Sequence, residues 1–180
     1  PSLVHRLDRE TSGVILIAKQ DTALSKLSKQ FNERRVKKNY QAIVFGRPEN
    51  SSIKAPIGWH PALWPKWRVM EKDGKPAETV FQIAETTNEF SLLELQPLTG
   101  RTHQLRIHLA HIGHPIVGDH TYGRTPNKEL ELTESQKVTR HLLHAASLTF
   151  RHPVSNQEVV LKAALPKDMV EFWNSRKKTR

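Results

Sequence analysis

The sequence contains no cysteine, which removes disulfide bonds, thiolate metal sites and a cysteine nucleophile together and is compatible with a reducing cytoplasm. It also lacks an apolar run approaching the roughly 18 residues of a membrane span, shows no lipidation motif and carries no visible signal peptide. Acidic residues are in the minority, 18 Asp and Glu against 28 Lys and Arg, so the 180-residue chain has a formal net charge of +10. That balance points to a polyanionic partner, with nucleic acid ahead of an anionic membrane surface. The length suffices for one domain with a real core.

Alternation and segment length predict an α+β fold, a mixed, largely antiparallel sheet with a few helices. The apolar run Val14-Ile15-Leu16-Ile17-Ala18 reads as a buried strand bounded by Gly13 and Lys19-Gln20. Asp21 is placed to cap a helix whose Leu24, Leu27 and Phe31 fall at i, i+3 and i+7, running out into the basic Arg34-Arg35-Val36-Lys37-Lys38. Tyr40 to Phe45 has the β-branched and aromatic bias of a strand, closed by Gly46 and Pro48, with Tyr40, Ala42 and Val44 on one face. Thr79–Glu85 and Phe90–Gln96 read as a strand pair. Beyond them, Gly100 permits a turn and Thr102 a cap for a helix from His103 to Ile112, stopped by Gly113 and Pro115, with Leu105, Leu109 and Ile112 as its buried stripe.

The most informative stretch is His5-Arg6-Leu7-Asp8-Arg9-Glu10-Thr11-Ser12-Gly13, which sets one carboxylate between two arginines. A cation within about 4–6 Å typically lowers a carboxyl pKa by one to three units, which would suit Asp8 to covalent attack or charge stabilisation more than to donating protons. Taken alone, such a stretch reads equally as a surface turn with an inconsequential ion pair. Residues 50–76 show no clear periodicity but interleave Trp59, Trp64 and Trp67 with Lys66 and Arg68. Such a mixture either stacks on unpaired bases and neutralises phosphates or pins a Pro-rich loop to the core. His103, His108, His111, His114 and His120 form a dense histidine cluster. The histidines straddle the expected helix stop, lack a His-Glu-x-x-His arrangement and share no carboxylate before Asp119, so no metal is expected there.

Four blocks carry a family resemblance. His5-Arg6-Leu7-Asp8 with Thr11-Ser12-Gly13, Lys38-Asn39-Tyr40-Gln41-Ala42-Ile43-Val44-Phe45-Gly46, Leu98-Thr99-Gly100-Arg101-Thr102-His103-Gln104-Leu105-Arg106-Ile107-His108, and Gly113-His114-Pro115-Ile116-Val117-Gly118-Asp119 with Tyr122-Gly123 occur in order across nearly the whole chain. Together they resemble the ordered signature of the RluA family of RNA pseudouridine synthases. Gly74-Lys75-Pro76-Ala77, followed by Thr79 and Phe81, fits the RluA branch itself. The resemblance implies a sheet whose flanking helices and loops form an RNA-binding cleft, and isomerisation of a uridine in ribosomal or transfer RNA after the base has been extruded from its stack. It further implies a cytoplasmic enzyme, favoured as a monomer, that needs neither cofactor nor metal.

By the same resemblance Asp8 is the catalytic carboxylate, acting by attack on the ribose anomeric carbon, by attack on the pyrimidine, or by taking a ribose proton to give a glycal. Arg106 is the arginine that pairs with it. Tyr40 stacks on the uracil and is a candidate to help deprotonate it, a base role that needs strong tuning of a phenol whose ordinary pKa is near 10. RNA contacts are expected from Arg6, which is suited to fill the gap left by the extruded base, and from Arg9, Lys37, Lys38, Lys66, Arg68, Arg101 and His103. The chain is expected to be the catalytic domain over residues 1–180, shortened at its N-terminus because the family's domain begins upstream of the His-Arg-Leu-Asp loop, and to hold no separate RNA-binding domain. The competing readings are a catalytically silent RNA-binding module and a metal-dependent hydrolase built on the histidines.

Overall fold

In a computed structural model, residues 1–49, 51–123 and 138–177 are described. The elements in chain order are β1 (Ser2–Leu3), β2 (Ser12–Gly13), β3 (Ile17–Ala18), α1 (Asp21–Asn32), β4 (Lys37–Phe45), β5 (Ser52–Lys54), β6 (Ile57–Trp59) and β7 (Trp67–Val69). They continue as β8 (Glu78–Thr86), β9 (Phe90–Pro97), α2 (Gln104–His111), β10 (Leu143–Arg151), β11 (Glu158–Lys162) and α3 (Lys167–Lys177). The main sheet runs β11-β10-β4-β9-β8-β5, antiparallel throughout. β2 adds a short parallel pairing to β10. The mixed, largely antiparallel α+β architecture expected from the sequence is the one observed. Among the described residues, no helix is long and apolar enough to cross a membrane.

The centre of this sheet carries the main core. Ala42, Ile43 and Val44 of β4 and Leu93 and Leu95 of β9 are buried, and α3 brings Met169, Phe172 and Trp173 onto the same cluster. Phe172 meets Phe90 edge-on with ring centroids 5.3 Å apart. Truncating a fully buried leucine such as Leu93 to alanine would cost about 2–5 kcal/mol. A second cluster joins Leu27 of α1 to Ala18, Val36, Leu148 and Phe150, with Leu24 and Phe31 packed against it. The i, i+3, i+7 stripe read from the sequence therefore faces β10 and β11.

Several boundaries differ from expectation, each for a physical reason. Val14–Ala18 is no single buried strand: Ser12–Gly13 pairs with β10 and Ile17–Ala18 with β1, and the switch of partner leaves Ile15 and Ile17 exposed. Asp21 is the first helical residue and Gln20 the N-cap, with no side-chain cap bond, so Asp21 contributes its charge to the first turn. α1 stops at Asn32, and the left-handed Arg34, at φ 57°, turns the chain so that Lys37 and Lys38 open β4. Thr102 does not cap α2. His103 does so in the left-handed region at φ 55°, and the amide of Arg101 donates to Gln104 Oε1 at 3.0 Å. In the aperiodic stretch, β6 and β7 form a small hairpin on which Trp59 and Trp67 meet edge-on at 5.5 Å.

Candidate active site

Ala145 of β10 is the register point of the site. It lies opposite Gly13 on one side and opposite Tyr40 on the other, just before a bulge between Ala145 and Ser147. The loop that carries Asp8 and the strand that carries Tyr40 are therefore attached to the same two residues of one strand. Gly13 is at φ +124°, and a Cβ there would lie 2.2 Å from the Ala145 carbonyl oxygen, so only glycine lets the loop seat this closely. Ser12 Oγ bonds His144 Nδ1 at 2.9 Å, and the Thr11 amide donates to the Asp8 carbonyl at 3.0 Å to close the turn.

Asp8 is half-buried on a cleft of about 570 Å³, whose lining includes Tyr40, Arg106, Lys37, Lys38, Arg101 and His103. Arg106 Nη1 donates to Asp8 Oδ2 at 3.4 Å. The same guanidinium grips Asp119 more tightly, Nε to Oδ2 at 2.6 Å and Nη2 to Oδ1 at 2.9 Å, and its centre lies 5.0 Å from the Tyr122 ring centroid. Asp119 Oδ1 also accepts the amides of Thr121 and Tyr122. Burial would push the Asp119 carboxyl up, but the Arg106 hydrogen bonds and charge, with the Tyr122 amide, outweigh it and hold Asp119 below its ordinary value. Burial likewise opposes the Arg106 charge, and Asp119, then Asp8, more than offset it. The result is a fixed cation whose Nη1 is left to face Asp8.

Burial pushes the Tyr40 phenol up to about 12, with the Asp8 charge adding to the effect. A phenol held neutral fits a stacking or hydrogen-bond-donating role, whereas the tuning needed for a base would have run downward. Lys38 is half-buried with Nζ 3.5 Å from the Thr99 carbonyl, and its pKa is lowered by burial and by Arg34. His103 donates or accepts through Nδ1 with Tyr122 Oη at 2.9 Å, and burial leads the forces that lower its pKa.

Of the residues expected at the site, Asp8, Tyr40, Arg106, Arg6, Lys37, Lys38, Arg101 and His103 line the one cleft. Arg101 is held by its Nε bond to the Pro76 carbonyl at 3.1 Å and does not bond Asp8. Arg9 is exposed and outside the cleft lining, and Lys66 and Arg68 lie apart from it on the β6–β7 hairpin, Lys66 Nζ 5.3 Å from the Trp59 ring centroid. The histidines diverge. His108 is buried between Thr79 Oγ1 at 3.0 Å and the Ala55 carbonyl at 2.9 Å, and His114 reaches the Phe45 carbonyl at 2.8 Å. Sequence reasoning missed two supports. Asp119 stood in the fourth block without a role, and Gln104, which binds Thr99, the Arg101 amide, the Glu78 carbonyl and Thr79, had only its block position to signal it.

Comparison with known proteins identifies the family of the chain. Residues 1–111 match the family model for RNA pseudouridylate synthase. The chain is 45% identical over 170 residues to an uncharacterized RNA pseudouridine synthase of Chloroflexus aurantiacus, covering 94% of this chain and 51% of that protein. It is 39% identical over 176 residues to ribosomal large subunit pseudouridine synthase C of Buchnera aphidicola, covering 96% of this chain and 56% of that protein. The chain thus spans about half the length of these relatives. Its fold superposes on human RNA pseudouridylate synthase domain containing 4 with a TM-score of 0.80 at 28% identity, over 98% of this chain and 76% of that one. With more than half of its length matched by the family model, the chain belongs to the RNA pseudouridylate synthase family.

Proposed function

We propose that this chain isomerises uridine to pseudouridine in structured RNA, with Asp8 as the reacting carboxylate. The observation that carries the reading is the Asp8 carboxylate in a basic cleft, 3.4 Å from a guanidinium that Asp119 already holds in place. The reaction breaks the bond from ribose C1′ to uracil N1, rotates the base and joins C1′ to C5, and the C5 proton leaves to solvent as N1 gains one. No net oxidation or hydrolysis occurs, so positioned side chains suffice. Attack at C1′, attack on the ring and removal of a ribose proton all use an anionic oxygen at the Asp8 position. Arg106 orients that oxygen, and Tyr40, neutral at working pH, stacks on the uracil.

Lys37, Lys38, Arg101 and His103 would receive phosphates around the opened nucleotide, with Arg6, exposed at the mouth, filling the vacated stack. Arg9 and the Lys66–Arg68 hairpin would contact RNA farther along. The name of the Buchnera relative makes ribosomal RNA the first substrate to test, with transfer RNA the second. The form proposed is a monomeric catalytic domain working in the cytoplasm, and Asp8, Tyr40 and Arg106 line the cleft together without a residue from a second copy.

The test is tritium release from RNA labelled at uracil C5, prepared as total RNA from a strain lacking the enzyme, with Asp8→Asn alongside. Release by the unaltered chain and none by Asp8→Asn, at similar RNA affinity, is the expected result. RNA binding without release by either protein would favour a silent binding module, and release by Asp8→Asn would remove the carboxylate from its role.

A further inference from the structure

Behind the Asp8 turn lies an imidazole that the proposed reaction does not use. His141, two residues before β10, is 1% exposed. Its Nε2 lies 2.8 Å from Thr11 Oγ1, and its Nδ1 faces Glu10 Oε2 at 3.6 Å with no hydrogen-bond partner among the described residues. Thr11 is the residue whose amide closes the turn onto the Asp8 carbonyl. A single hydroxyl therefore links His141 to the loop that aims Asp8. Arg140 secures the backbone beside it, donating from Nη1 to the Glu10 carbonyl at 3.1 Å.

The chemistry of the string follows from its ends. A carboxylate opposite Nδ1 favours the tautomer protonated there, which leaves Nε2 as an acceptor and makes the Thr11 hydroxyl the donor. Burial, then the Arg106 charge, push the His141 pKa down to about 4, against the opposite pull of Asp119, Asp8 and Glu10. An imidazole so hard to protonate is a poor base. The acid–imidazole–hydroxyl line here resembles a nucleophile relay in outline, but it is suited to holding a hydroxyl still.

We propose that His141 is a positioning residue of the isomerisation, fixing the Asp8 turn through Thr11 while Glu10 sets its tautomer. This rests on the reading of Asp8 given above. The experiment compares His141→Leu, His141→Gln and Thr11→Val in the full 180-residue chain. Rates are measured against concentration of C5-tritiated total RNA, and amide hydrogen exchange is followed over residues 5–13. His141→Leu and Thr11→Val should each lower kcat by about 10–100-fold, the scale of a misaimed reacting group, with KM within about threefold. The double variant should be no worse than either alone. Exchange over 5–13 should quicken in both, and His141→Gln, whose amide oxygen can accept from Thr11, should restore rate and protection.

Wild-type kcat in His141→Leu, a loss confined to KM, or no rescue by glutamine would overturn the proposal. If the unaltered chain releases no tritium, the functional reading fails separately. The exchange data then decide the tether: unchanged protection in His141→Leu and Thr11→Val would overturn it, and quickened exchange restored by glutamine would uphold it.

Discussion

Arg106 donates two hydrogen bonds to Asp119, at 2.6 and 2.9 Å, and one longer bond, at 3.4 Å, to Asp8. The tighter pair is the deeper one, since the Asp119 side chain is 1% exposed and that of Asp8 is 23% exposed. This asymmetry fits a site in which one carboxylate is structural and the other is left free to react. Asp119→Asn should therefore be more damaging than its distance from the cleft suggests. Removing one partner of a buried ion pair costs about 3–5 kcal/mol because the other charge is stranded. The freed guanidinium would then swing fully onto Asp8. The expected outcome is a lower melting temperature together with a loss of turnover that exceeds the loss of RNA affinity, measured by thermal denaturation, tritium release and filter binding.

Tyr40 yields a prediction about pH. Its phenol, pushed up to about 12, stays protonated through the neutral and mildly alkaline range. If the neutral phenol stacks or donates, kcat should show no rise attributable to Tyr40 between about pH 7 and pH 10. Tyr40→Phe should then lower kcat while preserving the shape of the pH profile over that range. A wild-type rate that climbs roughly tenfold per pH unit there, and is flat in Tyr40→Phe, would assign the tyrosine to proton removal after all.

His141 makes a separate prediction for stability. Its pKa falls from 6.5 to about 4 on folding. Above pH 6.5 the imidazole is neutral in both states and costs nothing. Between 6.5 and 4 the unfolded chain takes up a proton that the folded chain refuses, so stability falls as pH falls, and below 4 the loss is complete. The depressed value corresponds to a loss on the order of 3 kcal/mol across that window. Asp119 and Asp168, whose pKa values are also lowered by their arginine partners despite burial, weaken the fold in acid as well. Comparing denaturant unfolding of wild type and His141→Gln at pH 7.5 and pH 4 isolates the histidine. The variant should gain on wild type by roughly that amount in acid, and parallel losses would exclude the effect.

The long elements were legible in the sequence because local pattern and burial agree there. α1 shows its stripe at Leu24, Leu27 and Phe31, and the β8–β9 pair shows its apolar positions plainly. The site loop was legible only through its blocks, since a short polar stretch around Asp8 has no periodicity to read. What escaped was long-range. That Val14–Ala18 splits between β10 and β1 depends on which strands are at hand, and that Arg106 is shared by residues 98 and 13 positions away depends on tertiary closure. The start of α2 at a left-handed His103 was hidden because it makes no side-chain cap bond, and Gln104 instead ties the preceding turn through the Arg101 amide.

Gly13 tests whether the seating of the loop on β10 governs the site. A methyl group there would stand 2.2 Å from the Ala145 carbonyl oxygen at a φ of +124°, so Gly13→Ala must both strain the backbone and lift the loop from the strand. The backbone strain alone is on the order of 1–3 kcal/mol, and relief by displacement would pull Ser12 from His144 and carry Asp8 away from Arg106. Because Tyr40 is registered on the other side of the same Ala145, the two groups would separate even if the rest of the sheet held. The expected variant is folded by circular dichroism, binds RNA through the unaltered Lys37, Lys38 and Arg101, and loses kcat by about 100-fold or more, the scale of an ångström-sized misplacement. A Gly13→Ala protein with wild-type turnover would mean that the reacting carboxylate is not positioned through this strand.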